Sequence, residues 1–163
     1  MKTLLILRHA KSSWKHVDLQ DHDRPLNKRG RRDAPRIGQL LQNQRLCPEL
    51  ILSSTARRTR KTAAKAARQC GYQGVIELDG TLYLAAPDAY IAALRKVDDP
   101  IQCVMVVGHN PGLEQWLAML IGCAVRLPTA TLAHVELELT SWQELTSQTH
   151  ARLVTLWNPG EMA

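Results

Sequence analysis

The run Ile101–Val107 (IQCVMVV) constrains the fold more than any other stretch of the chain. It carries no charge and is too apolar on both alternating faces to lie at a sheet edge, so it reads as a buried strand. Thr3–Leu7 is a shorter run of the same kind, closed by Arg8-His9. Pro48–Ser53 and Val75–Leu78 read as two further strands. Helical stretches alternate with these. Asn27 is a good N-cap for a helix over 28–44, with Ile37, Leu40 and Leu41 on one side. Ala56–Cys70 is rich in Ala, Lys and Arg and stops at Gly71, Pro87–Val97 has proline in its first turn, and Leu113–Ile121 follows the Gly108–Pro111 turn. The alternation predicts an α/β fold in three layers, a mostly parallel sheet flanked by helices. Thr131–Leu139 and Arg152–Trp157 have no helix between them, which predicts an antiparallel strand at an edge. With no linker, repeat or low-complexity tract, residues 1–163 are expected to form a single domain.

Composition narrows the function. Hydrophobic residues make up 45% and charged residues 22%, as in globular proteins. Leu4–Leu7 is too short for a membrane span or a signal peptide, so a cytoplasmic protein without a membrane partner is expected. Cys47, Cys70, Cys103 and Cys123 form no C-x-x-C pair, which argues against a zinc ribbon or a disulfide framework. Charge is uneven: residues 1–80 carry 17 Lys/Arg against 7 Asp/Glu, and residues 81–163 carry 4 against 8. A basic half calls for an anionic partner. With aromatics at 4% and no Phe, single-stranded nucleic acid would find little to stack on, so a phosphorylated substrate is the better expectation.

Open parallel sheets bind ligands beyond the carboxyl ends of their strands. Arg8-His9, Gly108-His109-Asn110 and the strand-to-helix junction Ser53–Arg58 are all expected there. Arginine forks and helix N-termini favour phosphate, and a histidine in such a cage can attack phosphorus and carry it covalently. Lys11 and Ser12 follow His9 directly and are candidate phosphate donors. Asp18, Asp21, His22 and Asp23 could ligate a metal, although an acidic polar loop is the commoner meaning of such a cluster. Nucleotide-binding glycine loops, H-E-x-x-H, G-x-S-x-G and a cysteine phosphatase loop are all absent.

Four segments in order resemble one family. These are Leu7-Arg8-His9-Ala10-Lys11, with Ala where the family has Gly, Arg24-Pro25-Leu26-Asn27-Lys28-Arg29-Gly30, Ser53–Ala63 and Val107-Gly108-His109-Asn110-Pro111. They resemble the motifs of the histidine phosphatase superfamily (phosphoglycerate mutase-like), and the R-H-A-K-S version resembles its SixA-like phosphohistidine phosphatase branch. The resemblance implies His9 as nucleophile, Arg8 and Arg58 as phosphoryl clamps, and His109 as a second histidine donating to the phosphoryl group. Lys11, Ser12 and Asn110 would be substrate-binding neighbours, with no metal and no cofactor. The arginines would lower the His9 pKa, and a backbone carbonyl would fix its tautomer. Larger relatives protonate the leaving group with an acid in the region of 77–88. Asp79 and Asp88 are the candidates here, each with the simpler reading of a turn or cap residue. The expected partner is a phosphohistidine protein or a small phosphorylated substrate. The alternatives are a phosphatase of small phosphate esters, or a non-catalytic phosphate or nucleic-acid binding module using Arg29, Arg31, Arg32, Arg36 and the Arg57–Lys61 run.

Overall fold

Strand β1 (Lys2–Arg8) is apolar on both faces because both faces are covered. Leu4 and Ile6 pack into one hydrophobic layer, and Leu5 and Leu7 into the opposite one. Strand β4 (Cys103–Gly108) behaves alike, sending Val104 and Val106 one way and Met105 and Val107 the other. Each such fully buried aliphatic side chain contributes about 1.5–3 kcal/mol, so this pair forms the spine of the molecule. The computed structural model describes residues 1–161; the last two residues of the expected domain lie outside the described residues.

β2 (Leu50–Ser54), β3 (Ile76–Asp79), β5 (Leu132–Leu137) and β6 (Ala151–Trp157) complete a six-stranded sheet in the order β3-β2-β4-β1-β5-β6. β3, β2, β4 and β1 are mutually parallel. β5 runs against both β1 and β6. The reversed strand therefore sits one place in from the edge, while β6 forms the edge itself and points the same way as the parallel set.

Helices α1 (Lys28–Asn43) and α2 (Arg57–Cys70) cover one face, with Ile37, Leu41, Ala63, Ala66 and Ala67 against the sheet. On the other face, α3 (Pro87–Leu94) and α4 (Gly112–Ile121) supply Tyr90, Leu94, Leu113, Trp116 and Leu117, with the Tyr90 and Trp116 rings stacked at 5.4 Å. The architecture is thus the expected three-layer α/β sandwich; besides the place of the reversed strand, element ends shift. α3 stops at Leu94, three residues early, because the chain tightens there into short turns (Val97 N–H to Leu94 C=O, 3.0 Å). The loop over 10–26 has structure of its own: Ser12 bridges Leu26, and Asp21–Asp23 form a one-turn 3₁₀ helix.

Register places the site. Arg8 pairs with Gly108 and Ser53 with Val107, so the carboxyl ends of β1, β4 and β2 finish level. Gly108 is required at this point, since a Cβ there would lie 2.3 Å from the Tyr90 hydroxyl.

Candidate active site

The cleft beyond those strand ends holds about 230 Å³ and is lined by Arg8, His9, Lys11, Ser12, Trp14, Asp21, Arg24, Arg58, Leu84, His109, Asn110 and Thr129. Arg8, His9, Arg58 and His109, four residues dispersed through the sequence, therefore share one pocket with Lys11, Ser12 and Asn110.

His9 leaves β1 with its backbone pinned on both sides: its N–H donates to Gly108 C=O (3.1 Å) and its C=O accepts from Ala130 N–H (3.0 Å). Its ring Nδ1 lies 2.8 Å from Ala10 C=O. A carbonyl only accepts, so Nδ1 carries the proton and Nε2 keeps its lone pair. The chain thus supplies the expected tautomer-fixing carbonyl from the very next residue. The Ala10 N–H is held in turn by Thr62 Oγ1 (3.0 Å). The His9 pKa is pushed down to about 3, first by burial and then by His109, Arg58 and Arg8, against the raising effect of the Ala10 bond. Burial outweighs the arginine charges that the sequence reading made responsible.

The His109 ring centroid lies 5.4 Å from that of His9. His109 Nε2 is 2.8 Å from Ser54 Oγ, and Nδ1 is 3.4 Å from Arg58 Nη2. Arginine can only donate, so neutral His109 accepts at Nδ1 and donates from Nε2 to Ser54. Burial, then the Arg58 charge, pushes its pKa down to about 3, against the pull of Asp21. Arg58 is 3% exposed whereas Arg57 faces solvent. Neighbouring helical residues point about 100° apart, and that turn decides which of them enters the cleft.

Arg8 donates from Nη1 to Leu127 C=O (3.0 Å), while its Nε is buried without a protein partner among the described residues. Burial is the leading influence on its pKa, which is lowered, while Glu114 opposes the shift. The 127–131 segment is braced by Glu114, whose carboxylate accepts from Leu127 N–H (2.7 Å), and by Asn110, whose Nδ2 donates to Leu127 C=O (2.9 Å). One amide proton of Asn110 is thereby committed to the scaffold. Ser12 Oγ accepts from Arg24 Nη2 (2.6 Å), and Lys11 is exposed at the mouth.

Asp21 is the hub that sequence reasoning weighed only as a metal ligand. Its Oδ1 accepts from Arg24 Nη1 (2.9 Å), and its Oδ2 from Arg58 Nη2 (2.9 Å) and the Tyr83 hydroxyl (2.5 Å). Burial raises the pKa of this carboxyl, but those hydrogen bonds outweigh it and hold it well below the usual carboxylate range. The supposed ligand set does not assemble: His22 Nε2 contacts Thr55 Oγ1 (2.9 Å), Asp18 and Asp23 are exposed, and no cluster of three or more ligand-type side chains suited to a metal occurs among the described residues. Arg24, Tyr83 and Ser54 were also missed as site residues. Arg24 and Ser54 stand in quoted motifs, and Tyr83 carries no local signal. Asp79 caps the Gly80–Leu82 turn through Thr81, and Asp88 is exposed in the first turn of α3, so both take the simpler reading. Among the described residues no helix is long and apolar enough to cross a membrane.

Known proteins resemble this chain in sequence and in fold. The model of the histidine phosphatase superfamily (branch 1) matches residues 4–82. An uncharacterized chloroplastic protein of Arabidopsis thaliana is 37% identical over 154 residues, covering 88% of this chain and 70% of that one. The structure of a candidate phosphohistidine phosphatase SixA from Agrobacterium tumefaciens superposes with a TM-score of 0.81 at 30% identity, over 97% of this chain and 98% of that one. Another, from Nakamurella multipartitia, gives 0.83 at 28% identity over 97% and 96% of the two chains. The chain therefore belongs to the histidine phosphatase superfamily, in its SixA-like group.

Proposed function

We propose that this phosphatase is a phosphohistidine phosphatase that works through a covalent phospho-His9 intermediate. The observation that carries the reading is the His9 imidazole: Nδ1 is tied to Ala10 C=O, and the pKa is pushed down to about 3, so the ring is neutral and nucleophilic at Nε2 at physiological pH. The neighbours named phosphohistidine phosphatases support the choice of substrate.

In the first step the Nε2 lone pair of His9 attacks phosphorus. The bond from phosphorus to the leaving nitrogen breaks, and the leaving imidazole keeps that electron pair and takes a proton from solvent. In the second step water attacks phospho-His9, the P–Nε2 bond breaks, its electron pair returns to His9, and inorganic phosphate departs. Phosphoryl transfer is mostly positioning and charge neutralisation. Arg8 and Arg58 provide forked, permanently charged donors for the equatorial oxygens. The buried, unpartnered Arg8 Nε is a donor that an anionic oxygen would satisfy. Neutral His109, with Nε2–H held by Ser54 and Nδ1 facing Arg58 Nη2, helps to orient the Arg58 clamp beside the phosphoryl group.

Among the described residues the cleft holds no carboxylic acid free to protonate a poor leaving group, since Asp21 is ionised and held by two arginines. An imidazole, with a free pKa near 6.5, needs no such help, and an aryl oxygen needs little. Compared by kcat/KM, phosphoramidates and aryl phosphates should exceed alkyl phosphates by about 10²–10⁴-fold, the usual worth of general acid catalysis. A flat dependence on leaving-group pKa, with large losses in Asp79→Asn or Asp88→Asn, would overturn this reading.

A further inference from the structure

A second groove of about 230 Å³ opens beside the cleft, lined by Pro25, Leu26, Arg31, Arg57, Lys61 and Lys65. Its lining adjoins that of the cleft in sequence at two points. Arg24 and Arg58 enter the cleft, while the next residue along, Pro25, and the preceding one, Arg57, line the groove. Its four cations make no ion pair among the described residues; the only side-chain bond is Arg31 Nη1 to Leu26 C=O (2.9 Å). The contrast within α1 is sharp, because Arg29, Arg32 and Arg36 all surround Asp33 within 4.0 Å. α2 has no acidic residue at all. Arg57, Lys61 and Lys65 recur every fourth residue, so their charges step along the groove by about 6 Å. Four uncompensated cations on one concave surface are held against mutual repulsion and favour a polyanionic partner.

We propose that this groove receives an acidic polypeptide segment of the phosphoprotein whose phosphohistidine enters the cleft. This rests on the phosphohistidine reading and adds the recognition of the protein around it. Polypeptide is favoured over nucleic acid because the lining other than cations is aliphatic, Pro25 and Leu26, with no ring for a base to stack on. The rim of the adjoining cleft also exposes apolar surface suited to a protein, with Trp14 72% exposed and Leu84 at 56%. Acidic side chains four apart on a helix, or two apart on an extended chain, match the cation spacing.

The test pairs two phosphohistidine peptides, one with acidic and one with neutral flanks, on the wild type and on Lys61→Glu/Lys65→Glu. The wild type should prefer the acidic peptide by about tenfold in kcat/KM at about 10 mM salt, and the preference should collapse by about 0.15 M as screening shortens. The charge-reversed variant should lose the preference while turning over para-nitrophenyl phosphate as the wild type does, which also shows that it is folded. Equal rates for the two peptides, or a preference kept by the variant, would overturn the proposal. If neither phosphopeptide is hydrolysed although the aryl phosphate is, the phosphohistidine reading fails, and the groove is judged by binding of the unphosphorylated acidic peptide, seen by fluorescence anisotropy. Tighter binding of an oligonucleotide of equal charge, lost in the variant, would reassign the groove to nucleic acid and overturn the polypeptide.

Discussion

The parallel part of the sheet and its reversed part serve the same cleft by different means. β1, β2 and β4 deliver side chains: Arg8 and His9 from β1, Ser54 and then Arg58 beyond β2, and His109 beyond β4. β5 delivers backbone. Because it runs against β1, its start pairs with the end of β1, Leu132 opposite Leu7, so the approach segment 127–131 lies against the site. From there Thr131 C=O accepts from Arg8 N–H, Ala130 N–H donates to His9 C=O, and Leu127 C=O accepts from both Arg8 and Asn110. β6, one strand further out, has alternating half-buried and exposed residues and contributes nothing to the cleft lining. Across the sheet, side chains that line the cleft thus give way to backbone that braces them, and then to an edge that only completes the layer.

Substitutions can break or sharpen that gradient. The largest effect is expected at the parallel end, where His9→Ala should leave less than about 1% of the wild-type rate, a loss above about 2.7 kcal/mol, in steady-state assays. Retained turnover would move the nucleophile elsewhere. Next, Arg58→Ala should cost about 10²–10³-fold in kcat, as for removal of one positioned charge donor, while Arg57→Ala changes it within a few-fold. Equal losses would mean that the basic run acts as a diffuse patch.

The histidine environments predict a specific pH dependence of stability. His9 and His109 have pKa values pushed down to about 3 in the fold, against about 6.5 when unfolded. Between those values the unfolded chain binds more protons, so stability is full above about 6.5 and is lost as pH falls toward 3. From pH 7 to 5 the expected loss is on the order of 1–2 kcal/mol per histidine, read from urea midpoints. A His9→Gln/His109→Gln variant should lose much less over that interval. Asp21 does not confuse the measurement, because its depressed carboxyl pKa affects stability only when the pH falls below the usual carboxylate range. The smallest effect belongs to the edge. Val154→Lys on β6, 36% exposed, should change stability by no more than about 0.5 kcal/mol and leave kcat/KM alone.

This gradient also marks what was legible in the sequence. Ile101–Val107 and Thr3–Leu7 read correctly as central strands because covering both faces leaves an uninterrupted apolar run. The Arg57/Arg58 choice was legible only through the resemblance, which puts the clamp on Arg58; helix geometry adds that two neighbours cannot both face the cleft. The Asp21 hub was not, since Asp21, Arg58 and Tyr83 meet only through tertiary folding and none of them sits at a fixed spacing from another. The 127–131 segment was invisible for a different reason: it acts through carbonyls and an amide that every residue type carries. The Ala10 carbonyl that fixes the His9 tautomer belongs to the same class, expected in kind but without a signature at its position.

The central claim is that His9 Nε2 takes the phosphoryl group, and rapid acid-free quenching tests it most directly. With a phosphoramidate substrate in excess, the quenched wild type should carry a phosphoryl group on the peptide containing His9, stable to alkali and released by acid, and His9→Ala should carry none. A label on any other residue, or undiminished turnover by His9→Ala without a label, would contradict the account.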